Sequence, residues 1–232
     1  MASFPADDES PTINYQLADL LIENRSFGEA AVEFEKTAYG YPLHEKSSKA
    51  GYAAVYAYRE YLHAVAAEHK DTVKQEVIRS SLKFADAFPK HEKAAIVLGA
   101  AADDLYAMKE FEQALAAASK LTDTFPEAEI EVVRAAWLVV GHSSYELIHY
   151  SEAESAYLKV LKLLPENDKS RGGLVDNLAA SIYKQGEQAK DAQDFRLAAD
   201  HFLQVGRMAP TSKIRPNAEY DGAAALIELK DW

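Results

Sequence analysis

Residues 150–165, YSEAESAYLKVLKLLP, decide how the rest of this chain is read. The stretch opens on an aromatic, Tyr150, places Ala153 three residues later, and runs without a helix breaker to Pro165, twelve residues beyond the alanine. The same phrase stands at Phe27, Ala30 and Pro42, at Phe111, Ala114 and Pro126, and at Phe195, Ala198 and Pro210. Proline disfavours helical backbone in the residue before it, so each phrase reads as a helix with a fixed start and a fixed stop. A phrase that returns at a regular interval marks a repeated unit of secondary structure, which says more about architecture than about chemistry.

Outward from these four helices, the chain reads as helix, short turn, helix, proline. Residues 14–23 place Leu17, Leu20 and Leu21 on one helical face, residues 24–26 break it, and a second helix covers 28–39 up to Pro42. A longer unit spans 44–89, with a first helix over 46–69 that carries Tyr52, Tyr56, Tyr58 and Tyr61, and a second over 72–88. Units at 92–126, 129–165 and 168–210 follow, the last with a first helix lengthened after Gly172-Gly173. A partial unit spans 216–232. The expected fold is all-α: a flexible tail over 1–11, then an array over 12–232 of stacked antiparallel helix pairs in a right-handed superhelix, because successive pairs bury a shared core only by stacking.

The composition sets limits on function. Apolar residues make up 48% of the 232 and charged residues 27%, as in a folded globular protein. Acids outnumber bases 37 to 25, a net charge of −12, which argues against nucleic acid as a partner, since binding phosphates depends on Lys and Arg. The absence of cysteine excludes disulfides, thiol catalysis and cysteine zinc sites. No run approaches the roughly 18 apolar residues of a membrane span. The acidic start, with Pro5, has neither region of a signal peptide.

The chain resembles the tetratricopeptide repeat family. The unit at 129–165 carries the resemblance, with Trp137 and Gly141 in its first helix and Tyr150, Ala153, Tyr157 and Pro165 in its second. The unit at 168–210 repeats it with Ile182, Gly186, Phe195, Ala198, Phe202 and Pro210. In this pattern the small Gly141 and Ala153 let two helices approach, and Trp137 and Tyr157 fill the space beside them. The third unit has Leu98 and Ala102 in place of Trp and Gly, and the second matches only at Phe88-Pro89. The intervals between closing prolines, 47, 37, 39 and 45 residues from Pro42 to Pro210, exceed the family's period of about 34. The Phe88-Pro89 and Phe125-Pro126 endings, with this stretched spacing, resemble a bacterial envelope subset associated with outer-membrane protein assembly and the Tol–Pal system. That resemblance implies a periplasmic or outer-membrane-peripheral location, with the cytoplasm as the alternative. Trp232 falls where the aromatic opening the sixth unit's second helix would stand, so the 232 residues are expected to be part of a longer repeat protein.

The resemblance also implies where a ligand docks, because the first helices of tetratricopeptide pairs line the concave groove. Mapped residue by residue, that groove holds Tyr15, Asp19, Asp103, Tyr106, His142, Tyr145, Tyr183, Glu187 and Tyr220. Tyrosine offers a large rigid apolar area and one hydroxyl, which suits an extended peptide or a helix. The Lys, Arg and Asn clamp of the chaperone-binding members is absent, its positions being Gly99, Ala100, Asp103, Leu138, Val139 and His142. The expected function is a non-catalytic scaffold that binds a protein or peptide partner, with no cofactor. Self-association through the uncapped sixth unit is a further expectation.

Two alternatives stand beside this. One is a structural spacer without a ligand site. The other is a metal protein or enzyme centred on His142, Glu146 and His149, which share a helical face at i, i+4 and i+7. His149 lies at the turn preceding Tyr150 and no fourth ligand is near, so a solvated or partner-facing surface is the simpler reading. No G-x-S-x-G elbow and no Walker loop is present, and Gly172-Gly173 lacks the strand that a phosphate loop requires. Asp103 and Asp104 are adjacent and so point to different sides of a helix.

Overall fold

The computed structural model describes residues 9–229, and among these there are eleven α-helices, one short 3₁₀ turn and no strand. The chain divides into two compact units, one ending at Met108 and one beginning at Lys109. The first contains α1 (Ser10–Glu23), α2 (Phe27–Tyr39), α3 (Ser47–Ala64), the 3₁₀ turn (Ala67–His69), α4 (Lys70–Ala87) and α5 (Ala94–Ala107). The second contains α6 (Phe111–Thr124), α7 (Ile130–Glu146), α8 (Tyr150–Leu163), α9 (Arg171–Asp191), α10 (Phe195–Met208) and α11 (Arg215–Glu228). Within each unit every helix packs on the next in sequence.

The repeated phrase has the same structure at all four places. Phe27, Phe111, Tyr150 and Phe195 are the first residues of α2, α6, α8 and α10. Two residues before them, Arg25, Lys109, Ile148 and Gln193 have φ of 59°, 63°, 67° and 62°. A single left-handed residue thus stands in the turn just before each of these four helices. Ala30, Ala114, Ala153 and Ala198 are fully buried. The residues seven after each aromatic, Phe34, Ala118, Tyr157 and Phe202, are buried as well. Each closing proline lies two or three residues past its helix.

In the second unit the helices approach at glycines. A Cβ on Gly141 would stand 2.8 Å from the Tyr157 ring, and one on Gly186 would stand 2.6 Å from the Phe202 ring. Burying each of these two aromatics contributes about 2–3 kcal/mol. The first unit does the same at a place the sequence pattern does not mark. Gly51 on α3 lies under Phe88 and Phe84, where a Cβ would be 2.8 and 3.0 Å from the two rings. Asp104 on α5 ties three helices, its carboxylate lying 3.5 Å from Arg59 of α3 and 3.2 Å from Lys74 of α4.

Some boundaries differ from expectation. Helix α1 begins at Ser10, inside the expected tail, with Pro11 in its first turn, where a missing N–H leaves no bond unmade. The expected helix over 46–69 stops at Ala64, because Val65 and Ala66 adopt extended backbone before the 3₁₀ turn. The expectations for residues 1–8 and for Trp232 lie outside the described residues. No described helix is long and apolar enough to cross a membrane.

Candidate functional site

In the second unit, the first helices of successive pairs, α7, α9 and α11, bring a set of polar aromatics and charges together. Tyr145, in the last turn of α7, rests half-buried on the core with its ring 5.2 Å from that of Tyr150. Tyr183 on α9 packs its ring 5.0 Å from that of Phe202 and donates its hydroxyl proton to the carboxylate of Asp221 on α11. Lys184 bonds Glu187 at 2.5 Å, one turn along α9, and both lie beside Tyr145. These tyrosines are held by packing on one side and open on the other.

The ionisation of these groups follows from their surroundings. Burial raises the Tyr145 phenol, with the Lys184 ammonium opposing. The hydrogen bond to Asp221, with burial adding to it, pushes Tyr183 up to about 12. The bond to Glu187 raises Lys184. Burial lowers His142, opposed by the Glu146 carboxylate, so its imidazole is neutral near pH 7.

Of the nine expected groove residues, the structure brings three into this set: Tyr145, Tyr183 and Glu187. His142 turns inward and shares a 2.8 Å hydrogen bond with the buried Tyr157 hydroxyl. Tyr220 projects from α11, 76% exposed. The other four belong to the first unit. There Tyr15 sets its ring edge-on to Phe34 at 5.3 Å, with the Lys46 ammonium 5.1 Å from its ring centre. Asp19 lies one turn away, its carboxyl raised by desolvation and by Glu23, with Lys46 opposing. Asp103 is raised by desolvation and then by Asp104, and Tyr106 is half-buried on the same helix, α5. The four tyrosines of α3 divide, with Tyr58 buried and Tyr52 and Tyr56 exposed, while Tyr61 packs against Gly28.

His142 is bonded to Tyr157, His149 is 3.5 Å from Glu152, and among the described residues no group of three His, Asp or Glu is placed to hold an ion. Sequence reasoning missed Lys184 and Asp221. Asp221 follows Tyr220 directly, so one residue of register on α11 separates the tyrosine expected to line the groove from the carboxylate that meets Tyr183.

Left-handed turn residue, N-terminal aromatic, buried alanine and the glycine-to-aromatic approach at Gly141 and Gly186 define the packing of these pairs. The pairs are tetratricopeptide-like. No protein-family model and no curated protein matches the chain. The tetratricopeptide-like chain is similar to the structure of Pseudomonas aeruginosa pilF at 18% identity and a TM-score of 0.40, covering 96% of this chain and 92% of that one. It is also similar to a signal transduction ATPase with numerous domains and a tetratricopeptide repeat sensor, from Pyrococcus horikoshii. That likeness is 19% identical with a TM-score of 0.45, and covers 98% of this chain but 38% of the other.

Proposed function

We propose that the protein is a non-catalytic scaffold that docks a peptide or helix of a partner protein on the face formed by α7, α9 and α11. The observation that carries this is the pair Tyr145 and Tyr183. Each ring is fixed by an aromatic neighbour and half-buried, so it is ordered before a ligand arrives. Glu187 and the exposed Tyr220 extend the face. His142 has a positioning role, holding Tyr157 under Gly141. The Phe88-Pro89 and Phe125-Pro126 endings support placing this scaffold in a bacterial envelope assembly.

The test is capture from a bacterial envelope extract by the parent chain and by a Tyr145→Ala, Tyr183→Ala double variant shown by circular dichroism to keep its fold. A polypeptide retained by the parent and lost by the variant supports the reading. Equal retention by both moves the site off this face. A chain that retains nothing is the structural spacer.

A further inference from the structure

The face of α7, α9 and α11 also carries information about what it binds, provided that it is the docking face proposed above. Three carboxylates border the two tyrosines: Glu146 in the last turn of α7, Glu187 on α9 and Asp221 on α11. One ammonium, that of Lys184, accompanies them, and it is already bonded to Glu187.

The aromatic rings point the same way. A cation over a tyrosine or tryptophan face is attracted by the ring quadrupole. Elsewhere the chain supplies such cations itself, with Lys83 3.9 Å from the Tyr39 ring centre and Lys159 3.6 Å from that of Trp137. Tyr145 has Lys184 beside it with Glu146 and Glu187, and Tyr183 has Glu187 and Asp221. Lys184 is held by Glu187, so a cation on the exposed side of either ring would come from outside. We infer that the occupant of this face is a basic polypeptide segment, with Lys or Arg side chains interleaved between apolar ones. Its apolar side chains would lie on the tyrosine rings and its cations against Glu146, Glu187 and the ring faces. Such complementarity sets the partner's charge and speeds its approach, and it weakens as salt rises.

The experiment uses two pools of short synthetic peptides with the same Leu, Phe and Tyr positions, one filled with Lys and Arg and the other with Glu and Asp. Binding is read by fluorescence anisotropy at low and raised salt. The proteins compared are the parent, the Tyr145→Ala, Tyr183→Ala variant, a Glu146→Gln, Glu187→Gln variant, and a control, Glu112→Gln, Glu127→Gln, that removes the same charge elsewhere in the second unit. The expected result is that the basic pool binds, that the tyrosine variant abolishes binding, and that the Glu146, Glu187 variant weakens it about three- to tenfold more than the control does. If the acidic pool binds equally well and still needs the tyrosines, the docking face stands and its basic occupant is overturned. If the basic pool binds the tyrosine variant as well as the parent, it is held by net charge alone, and both readings of this face fail. The absence of binding by either pool overturns the inference.

Discussion

Four glycines show how the same residue serves opposite ends. Gly141 and Gly186 sit under the rings of Tyr157 and Phe202, and a methyl group at either would collide with an aromatic that cannot retreat. Gly172 and Gly173, in the first turn of α9, have nothing within 4 Å of where a Cβ would stand. Gly141→Ala and Gly186→Ala are therefore expected to lower unfolding free energy by about 1–2 kcal/mol, overpacking outweighing the better helix propensity. Gly172→Ala and Gly173→Ala are expected to raise it by about 0.5–1 kcal/mol each. Urea unfolding of the four variants checks both signs. His142 gives a pH dependence. Its folded-state value lies below the ordinary 6.5, so its contribution to stability is full above pH 6.5 and is lost as pH falls below that. A His142→Gln variant should lose less stability than the parent between neutral and mildly acidic pH, and equal losses would show that this imidazole is not the group responsible. Asp19 and Asp103 titrate alike in both proteins and cancel in the comparison. Gly141 was legible in the sequence because its partners follow within one helix pair. The inward turn of His142 was not, because an imidazole at that helical position serves a core hydroxyl as well as a ligand.

At the scale of elements, the turns before α2, α6, α8 and α10 share one left-handed residue, and Ile148 is the least suited of the four to that backbone. A β-branched side chain there is strained, and Ile148 is 59% exposed, so its burial returns little. Ile148→Asn is expected to stabilise the second unit by about 0.5–1 kcal/mol, read as a raised thermal midpoint. Helices α9 and α11 are joined by the proton that Tyr183 donates to Asp221. With its folded-state value raised to about 12 from an ordinary 10, Tyr183 supports the fold fully below pH 10 and ceases to as pH rises from 10 to 12. The difference in tyrosinate absorbance between the parent and a Tyr183→Phe variant isolates this phenol. Its midpoint should fall towards 10 when Asp221→Asn is introduced into both. The helix pairs were legible because aromatic, alanine and proline act within a single helix and its turn. The Gly51 approach to Phe84 and Phe88 was not, since it joins the start of a long α3 to the end of α4 and has no repeated phrase to announce it.

At the scale of the molecule, the sequence states the number and order of helices well, because period and punctuation are local properties. It does not state that the described helices group into two compact units, with the boundary inside the expected repeat at 92–126. That boundary depends on packing between helices rather than on any residue within them. The candidate site was legible as three tyrosine and carboxylate positions in the second unit, and its charge partners were not, because Lys184 and Asp221 are selected by neighbours on other helices. The central claim is that this face receives a polypeptide. The most direct measurement replaces the exposed Tyr220 with a photo-crosslinking amino acid and, in a second protein, replaces Leu43 of the first unit, which is 83% exposed. Both are irradiated in a bacterial envelope extract. The account predicts a discrete polypeptide adduct from position 220 that disappears when Tyr145→Ala and Tyr183→Ala are added, and none from position 43. The same adducts from both positions, or an adduct at 220 that survives loss of the two tyrosines, would contradict it.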